Sequence, residues 1–149
     1  MTLSPAIVGM LACMVNFGIL IFNLGFTRAD ALAKPNSNVF SPFGQLIILV
    51  WGVAFLLAGQ QASSSGYIWW AFALEKTCYV GSWILMWASP NDIPATFKAA
   101  WDAKSFTDLL TPTFYCIYGP IDFTFLLLFA YLGMQSMATQ QRDAGLKAR

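Results

Sequence analysis

Residues 66–87 read GYIWWAFALEKTCYVGSWILMW, and their centre holds two charges side by side, Glu75 and Lys76. An α-helix rises about 1.5 Å per residue, so roughly 20 apolar residues cross a hydrocarbon core about 30 Å thick. A charge at the middle of such a helix costs about 2.5–3.5 kcal/mol on insertion scales and needs a partner. Neighbouring residues project about 100° apart, so the two cannot serve each other well. Glu75 shares a helix face with Ile68, Phe72, Tyr79 and Ser82, whereas Lys76 shares one with Trp69, Phe72, Val80 and Trp83. Each must look towards another helix.

Three further apolar runs supply those helices. The first is Pro5 to Phe26, free of charge, ending at Thr27-Arg28-Ala29-Asp30. Loop chemistry follows, through Lys34-Pro35-Asn36-Ser37-Asn38, to Ser41. The second run covers about 44–61 and fades into a Ser-Gly cluster at 62–66 that reads as a tight turn. With the run at 67–88 it reads as a helical hairpin. The last run spans about 113–137 and contains Gly119-Pro120. Proline inside a helix removes one donor and crowds the preceding turn, which predicts either a kink near 116–119 or a helix that starts at Pro120. Between the third and fourth runs, Phe97 and Trp101 sit four apart beside Lys98 and Asp102. That pattern predicts a short amphipathic helix at about 94–105, lying in the membrane interface or packed as a lid over the helix ends. A polar tail occupies 140–149.

The sequence therefore predicts an all-α, multi-pass integral membrane protein of one domain, 1–149. Its architecture is a four-transmembrane-helix bundle with an interfacial helix between the third and fourth spans. Four spans place both termini on one side. Arg28, Lys34, Lys98 and Lys104 fall on one face of the membrane and Arg142, Lys147 and Arg149 on the other, a near balance that leaves orientation, and the membrane of residence, open.

Composition agrees. Hydrophobic residues make up 58% of the 149 and charged ones only 10%, against roughly 25% charged in a soluble domain. Mean hydropathy is +0.61. A net charge of +1 with no basic block excludes nucleic-acid binding through a basic face. The absence of histidine excludes histidine-ligated haem or zinc and Ser-His-Asp catalysis. Cys13, Cys78 and Cys116 are scattered, so neither a disulfide framework nor a C-x-x-C site is expected. No cofactor is indicated.

Asp122, two residues after Pro120, is the natural counterpart of the Glu75–Lys76 pair. A Lys76–Glu75–Asp122 cluster would carry a formal charge of −1 with all three groups ionised. Asn16 and Asn23 lie seven apart on one face of the first run, extended by the small residues Gly9 and Cys13, which suits close helix packing. Asn16 is also placed to offer an amide to the cluster. Gln45 and Gln60 are expected near the membrane surface. Of the aromatic residues, 16% of the chain, Tyr67, Trp69, Trp70 and Trp87 fit aromatic belts at the two interfaces, while Tyr79, Trp83 and Trp51 lie deeper.

The candidate ligand-binding residues are thus Glu75, Lys76, Asp122, Tyr79, Trp83, Asn16 and Trp51. They predict an intramembrane pocket for a small apolar or amphipathic molecule, held or carried through buried acids. Two other readings stay open. One is a non-catalytic accessory subunit, or homo-oligomer, whose polar residues and exposed small-residue face engage partner chains in the bilayer. The other is a membrane enzyme acting on a lipid-soluble substrate, although no catalytic motif is present.

Overall fold

A computed structural model describes residues 3–61 and 65–147 and, among these, helices and loops without a strand. The helices are α1 (Pro5–Phe17), α2 (Ile19–Phe22), α3 (Ala29–Ala33), α4 (Ser37–Phe40), α5 (Pro42–Gln60), α6 (Gly66–Ala88), α7 (Ile93–Asp102) and α8 (Phe106–Lys147). Three stretches are long and apolar enough to cross a membrane: Pro5–Phe22, Pro42–Gln60 and Phe106–Leu146. The remaining long helix, α6, has 23 residues, but its tryptophans, tyrosines and central charges leave it less apolar than those three. Most of the Ser-Gly turn expected at 62–66 lies outside the described residues. Only Ser65, whose hydroxyl accepts from the Tyr67 amide at 3.3 Å to cap α6, and Gly66 belong to them.

The helices pair as α1 with α5 and α6 with α8. The expected α5–α6 hairpin is therefore not a tightly packed unit; the two helices meet mainly through the rings of Trp51, Phe55 and Phe72. Glycine decides the α1–α5 pairing. A Cβ on Gly9 would sit 2.3 Å from the Phe55 carbonyl oxygen and 3.1 Å from the Gly59 Cα, so the two backbones touch where neither has a side chain. Of the small-residue face of the first run, Gly9 is taken up inside the chain, while Cys13 stays partly exposed.

Two apolar clusters fill the interior. One joins Val8 and Ala12 of α1, Phe55 and Ala58 of α5, Trp69, Phe72 and Ala73 of α6, and Phe125, Phe129 and Leu132 of α8. The other joins Ile19, Leu32, Phe40, Ile48, Met86 and Ile93 with Phe114, Tyr115 and Tyr118. Each long helix passes from one cluster to the other, and successive long helices do so in opposite order, so they alternate in direction. Trp69 is fully buried in the first cluster, while Tyr67 and Trp70 are exposed. Consecutive helix residues project about 100° apart, which is why Trp69 turns inward while Trp70 faces outward.

Several expectations about element boundaries and side-chain placement change. The first helix bends at Gly18 and stops at Asn23 rather than Phe26, because Leu24, Gly25 and Phe26 all take positive φ. The Asn23 side-chain oxygen accepts from the Phe26 amide at 3.1 Å and holds that turn. The stretch from Arg28 to Ser41 is not plain loop but contains α3 and α4, whose Leu32 and Phe40 plug the second cluster. Gln45 does not reach outward. It is fully buried, accepts from Asn23 Nδ2 at 2.7 Å and donates to the carbonyls of Ala29 (2.8 Å) and Phe40 (2.7 Å). Finally, α8 is neither confined to 113–137 nor begun at Pro120. It runs unbroken from Phe106 through Pro112 and Pro120 to Lys147. Gly119 makes room for this, since the Trp83 ring occupies the place of a Cβ there and its indole N–H donates to the Tyr115 carbonyl at 2.9 Å.

Between the third and fourth long helices stands α7, slightly shorter than the expected 94–105. Ile93 and Ala100 are buried, Trp101 is exposed and stacks on Phe97, and Lys98 pairs with Asp102 at 2.7 Å.

Three substitutions follow from these contacts. Gly9→Ala forces α1 off α5 and is expected to cost about 1–3 kcal/mol in denaturant unfolding of the micelle-bound protein. Gly81→Ala, where a Cβ meets nothing within 4 Å, is expected to be neutral or to gain up to about 1 kcal/mol. Replacing Gln45 by Leu strands the Asn23 amide and two carbonyls, with an expected loss of about 1–3 kcal/mol in the same measurement.

Candidate functional site

Each of the four long helices contributes at least one polar side chain or a backbone carbonyl to a row of contacts. Lys76 on α6 lies 2.7 Å from Asp122 Oδ1 on α8. Its ammonium also donates to Asn16 Oδ1 on α1 at 3.3 Å. The Asn16 amide in turn donates to the Ile48 carbonyl on α5 at 2.9 Å. A single row of contacts, Asp122–Lys76–Asn16–Ile48, therefore crosses α8, α6, α1 and α5. Gly52 permits it, for a Cβ there would come within 3.1 Å of the Asn16 Cβ. Lys76 completes its surroundings with the rings of Phe55 and Tyr79, 5.2 and 5.4 Å from the ammonium.

Glu75 is the odd member. Its Oε2 stands 3.7 Å from the Lys76 ammonium, beyond hydrogen-bond reach. Neither of its buried oxygens has a hydrogen-bond partner among the described residues. Lys76, Glu75 and Asp122 are respectively 3%, 9% and 7% exposed, so this is a buried layer with two acids and one base. An ion pair out of water is held together by mutual attraction, and removing one partner leaves a charge that nothing offsets.

Beside the row lies a cavity of about 60 Å³. Asp122, Lys76 and Asn16 form its polar floor. Its walls are Phe22, Phe40, Phe114, Tyr79 and Tyr118 with several aliphatic residues, and its rim includes Val15 of α1 and Ile117 of α8, both exposed. The cavity is thus edged by exposed apolar side chains of both α1 and α8. Pockets for drug-sized molecules run to roughly 300–1,000 Å³. This one holds a few waters or a single polar head group, and anything larger must leave its remainder outside the rim.

Of the seven sequence-predicted residues, the cavity takes in Lys76, Asp122, Asn16 and Tyr79. Glu75 touches the layer from behind Lys76 without lining the cavity. Trp51 stacks in the apolar core against Phe55 at 6.1 Å. Trp83 is occupied with Gly119, Trp87 and the Tyr115 carbonyl. The aromatic wall contributed by Phe40 and by Phe114 and Tyr118 was missed in the sequence, although the four-residue spacing of Phe114 and Tyr118, one helical turn, was a readable signal.

Among the described residues no group of three or more His, Cys, Asp or Glu side chains is arranged to hold a metal ion. Comparison with protein-family models, with characterised proteins and with solved structures returns no match for this chain.

Lys76→Met leaves Asp122 buried without its cation and is expected to destabilise the protein by about 3–5 kcal/mol. The double variant Lys76→Met/Asp122→Leu removes both charges and should recover most of that loss. Chemical denaturation in micelles of the parent, Lys76→Met, Asp122→Leu and the double variant gives the coupling, and a double variant no more stable than Lys76→Met would mean that the pair does not act as a unit.

Proposed function

We propose that this chain is a four-span membrane protein whose charged layer holds the polar head of a small amphipathic molecule arriving from the bilayer. The observation that carries this reading is the shape of the cavity. Its floor is charged, its walls are aromatic, it is too small for a whole ligand, and its rim is edged by exposed apolar side chains of α1 and α8. A molecule entering from lipid would seat its head on Asp122 and Lys76 and leave its tail between α1 and α8. Such a site serves a receptor-like binder or a carrier.

Several features support the membrane arrangement. Helix α6 is 23 residues, about 35 Å, and runs beside α8 between the same two apolar clusters. Its central charges face inward, which lessens the cost of placing them in hydrocarbon. Alternating helix directions support an arrangement with both chain ends on one side. Exposed Phe97 and Trp101 on α7 support the reading of that helix as interfacial. Exposed Tyr67 and Trp70 mark the opposite surface. The accessory-subunit reading loses its main support here, since Gly9 packs on α5 instead of offering a face to a neighbouring chain.

Native mass spectrometry after gentle extraction tests the proposal. The expected result is a monomer or homo-oligomer carrying a small lipophilic molecule, which is lost in Asp122→Asn and when the rim is filled in Ile117→Trp. A bare chain, or a stable assembly with other polypeptides that neither substitution affects, would count against the pocket.

A further inference from the structure

The charge count of the buried layer points to more than a polar head of unspecified kind. With Glu75, Lys76 and Asp122 all ionised the layer carries −1, in a region from which water is largely excluded. Lys76 is committed to Asp122 at 2.7 Å, and Glu75 stands apart with no hydrogen bond to either oxygen. The ionisable groups around Glu75 are Lys76 and Tyr79 on its own helix and Asp122 on α8; α1 and α5 carry no charged residue and offer only the amide of Asn16. An isolated buried carboxylate is costly, and one added positive charge makes the layer neutral. That charge can be a proton on Glu75 or the head of a ligand in the cavity.

Resting on the pocket reading above, we infer that the site takes a protonated alkyl amine in exchange for one proton, with Lys76 as the moving part between Asp122 and Glu75. In the empty site the neutral set is Glu75 as the acid, Lys76 as the ammonium and Asp122 as the carboxylate. An incoming ammonium head donates to Asp122, the only carboxylate lining the cavity, while the aromatic walls of Phe40, Phe114 and Tyr118 face its positive charge. Displaced from Asp122, the Lys76 ammonium needs to move only about an ångström to close its 3.7 Å separation from Glu75 to hydrogen-bond length. Glu75 then gives its proton to water and becomes the carboxylate that Lys76 pairs with. The balance is one amine cation in and one proton out, and the layer is neutral before and after.

The experiment uses the intact protein in uncharged micelles at neutral pH, with nonylamine as the probe and nonanol as its uncharged counterpart. Titration calorimetry in two buffers of different ionisation enthalpy counts the protons exchanged per molecule bound. The expected result is about one proton released per nonylamine bound and none per nonanol. In Glu75→Gln nonylamine should bind at least tenfold more weakly with no proton release, and in Asp122→Asn its binding should be lost. Infrared difference spectra should show a protonated carboxyl band that nonylamine removes and that Glu75→Gln lacks from the start. Nonylamine binding without proton release in the unsubstituted protein overturns the exchange, whatever the variants do. Nonanol binding at the same rim with no amine binding overturns it too, yet leaves the pocket standing. Binding of neither molecule removes both readings.

Discussion

One row of contacts ties the four long helices together: Asp122 to Lys76 to Asn16 to the Ile48 carbonyl. In a bilayer apolar side chains gain little by leaving lipid for one another, so apolar packing alone specifies helix register poorly. A charged layer specifies it well, because sliding any helix by one turn strands an ion or a buried amide. The two apolar clusters then follow as the spaces on either side of the row. The glycine contacts follow as well, since Gly9, Gly52 and Gly59 are what allow α1 and α5 to approach closely enough for Asn16 to reach across.

The second polar hub, Asn23 with Gln45, does for the connecting segment what the charged row does for the helices. It gathers the end of α2, the carbonyl of Ala29 in α3 and the carbonyl of Phe40 at the end of α4 onto one amide side chain. Tyr115 adds a third attachment by donating to the Leu32 carbonyl at 2.7 Å. Buried backbone groups outside a long helix need partners, and two amides and a phenol supply them here. The segment can therefore plug the second cluster with Leu32 and Phe40 rather than lie over it.

How much of this was legible in the sequence varied by residue. The apolar runs, the uneasy pair at Glu75–Lys76 and its counterpart Asp122 could be read directly, because charge inside an apolar run has few explanations. Asn16 could be read too, from its place on the Gly9–Cys13 face. The partner of each face could not. Periodicity says that a residue looks inward but not which helix it meets, so α5 was matched with its chain neighbour α6 instead of with α1. Gln45 misled because a glutamine near the end of an apolar run usually reaches for the interface, and only the fold shows the three groups around it. Helices as short as α3 and α4 have no periodicity to detect. Pro120 was given its ordinary weight as a helix breaker, whereas the helix continues through it where Gly119 and Trp83, 36 residues apart in the chain, pack together.

The unbroken length of α8 has a mechanical consequence. Asp122 sits 25 residues before Lys147, so the helix extends about 37 Å beyond the charged layer at 1.5 Å per residue. Its final turns, through the exposed residues 141–146, stand clear of the apolar clusters. A rod of that length acts as a lever whose fulcrum is the ion pair. At that distance a tilt of α8 by about 5° around Asp122 moves its outer end by about 3 Å.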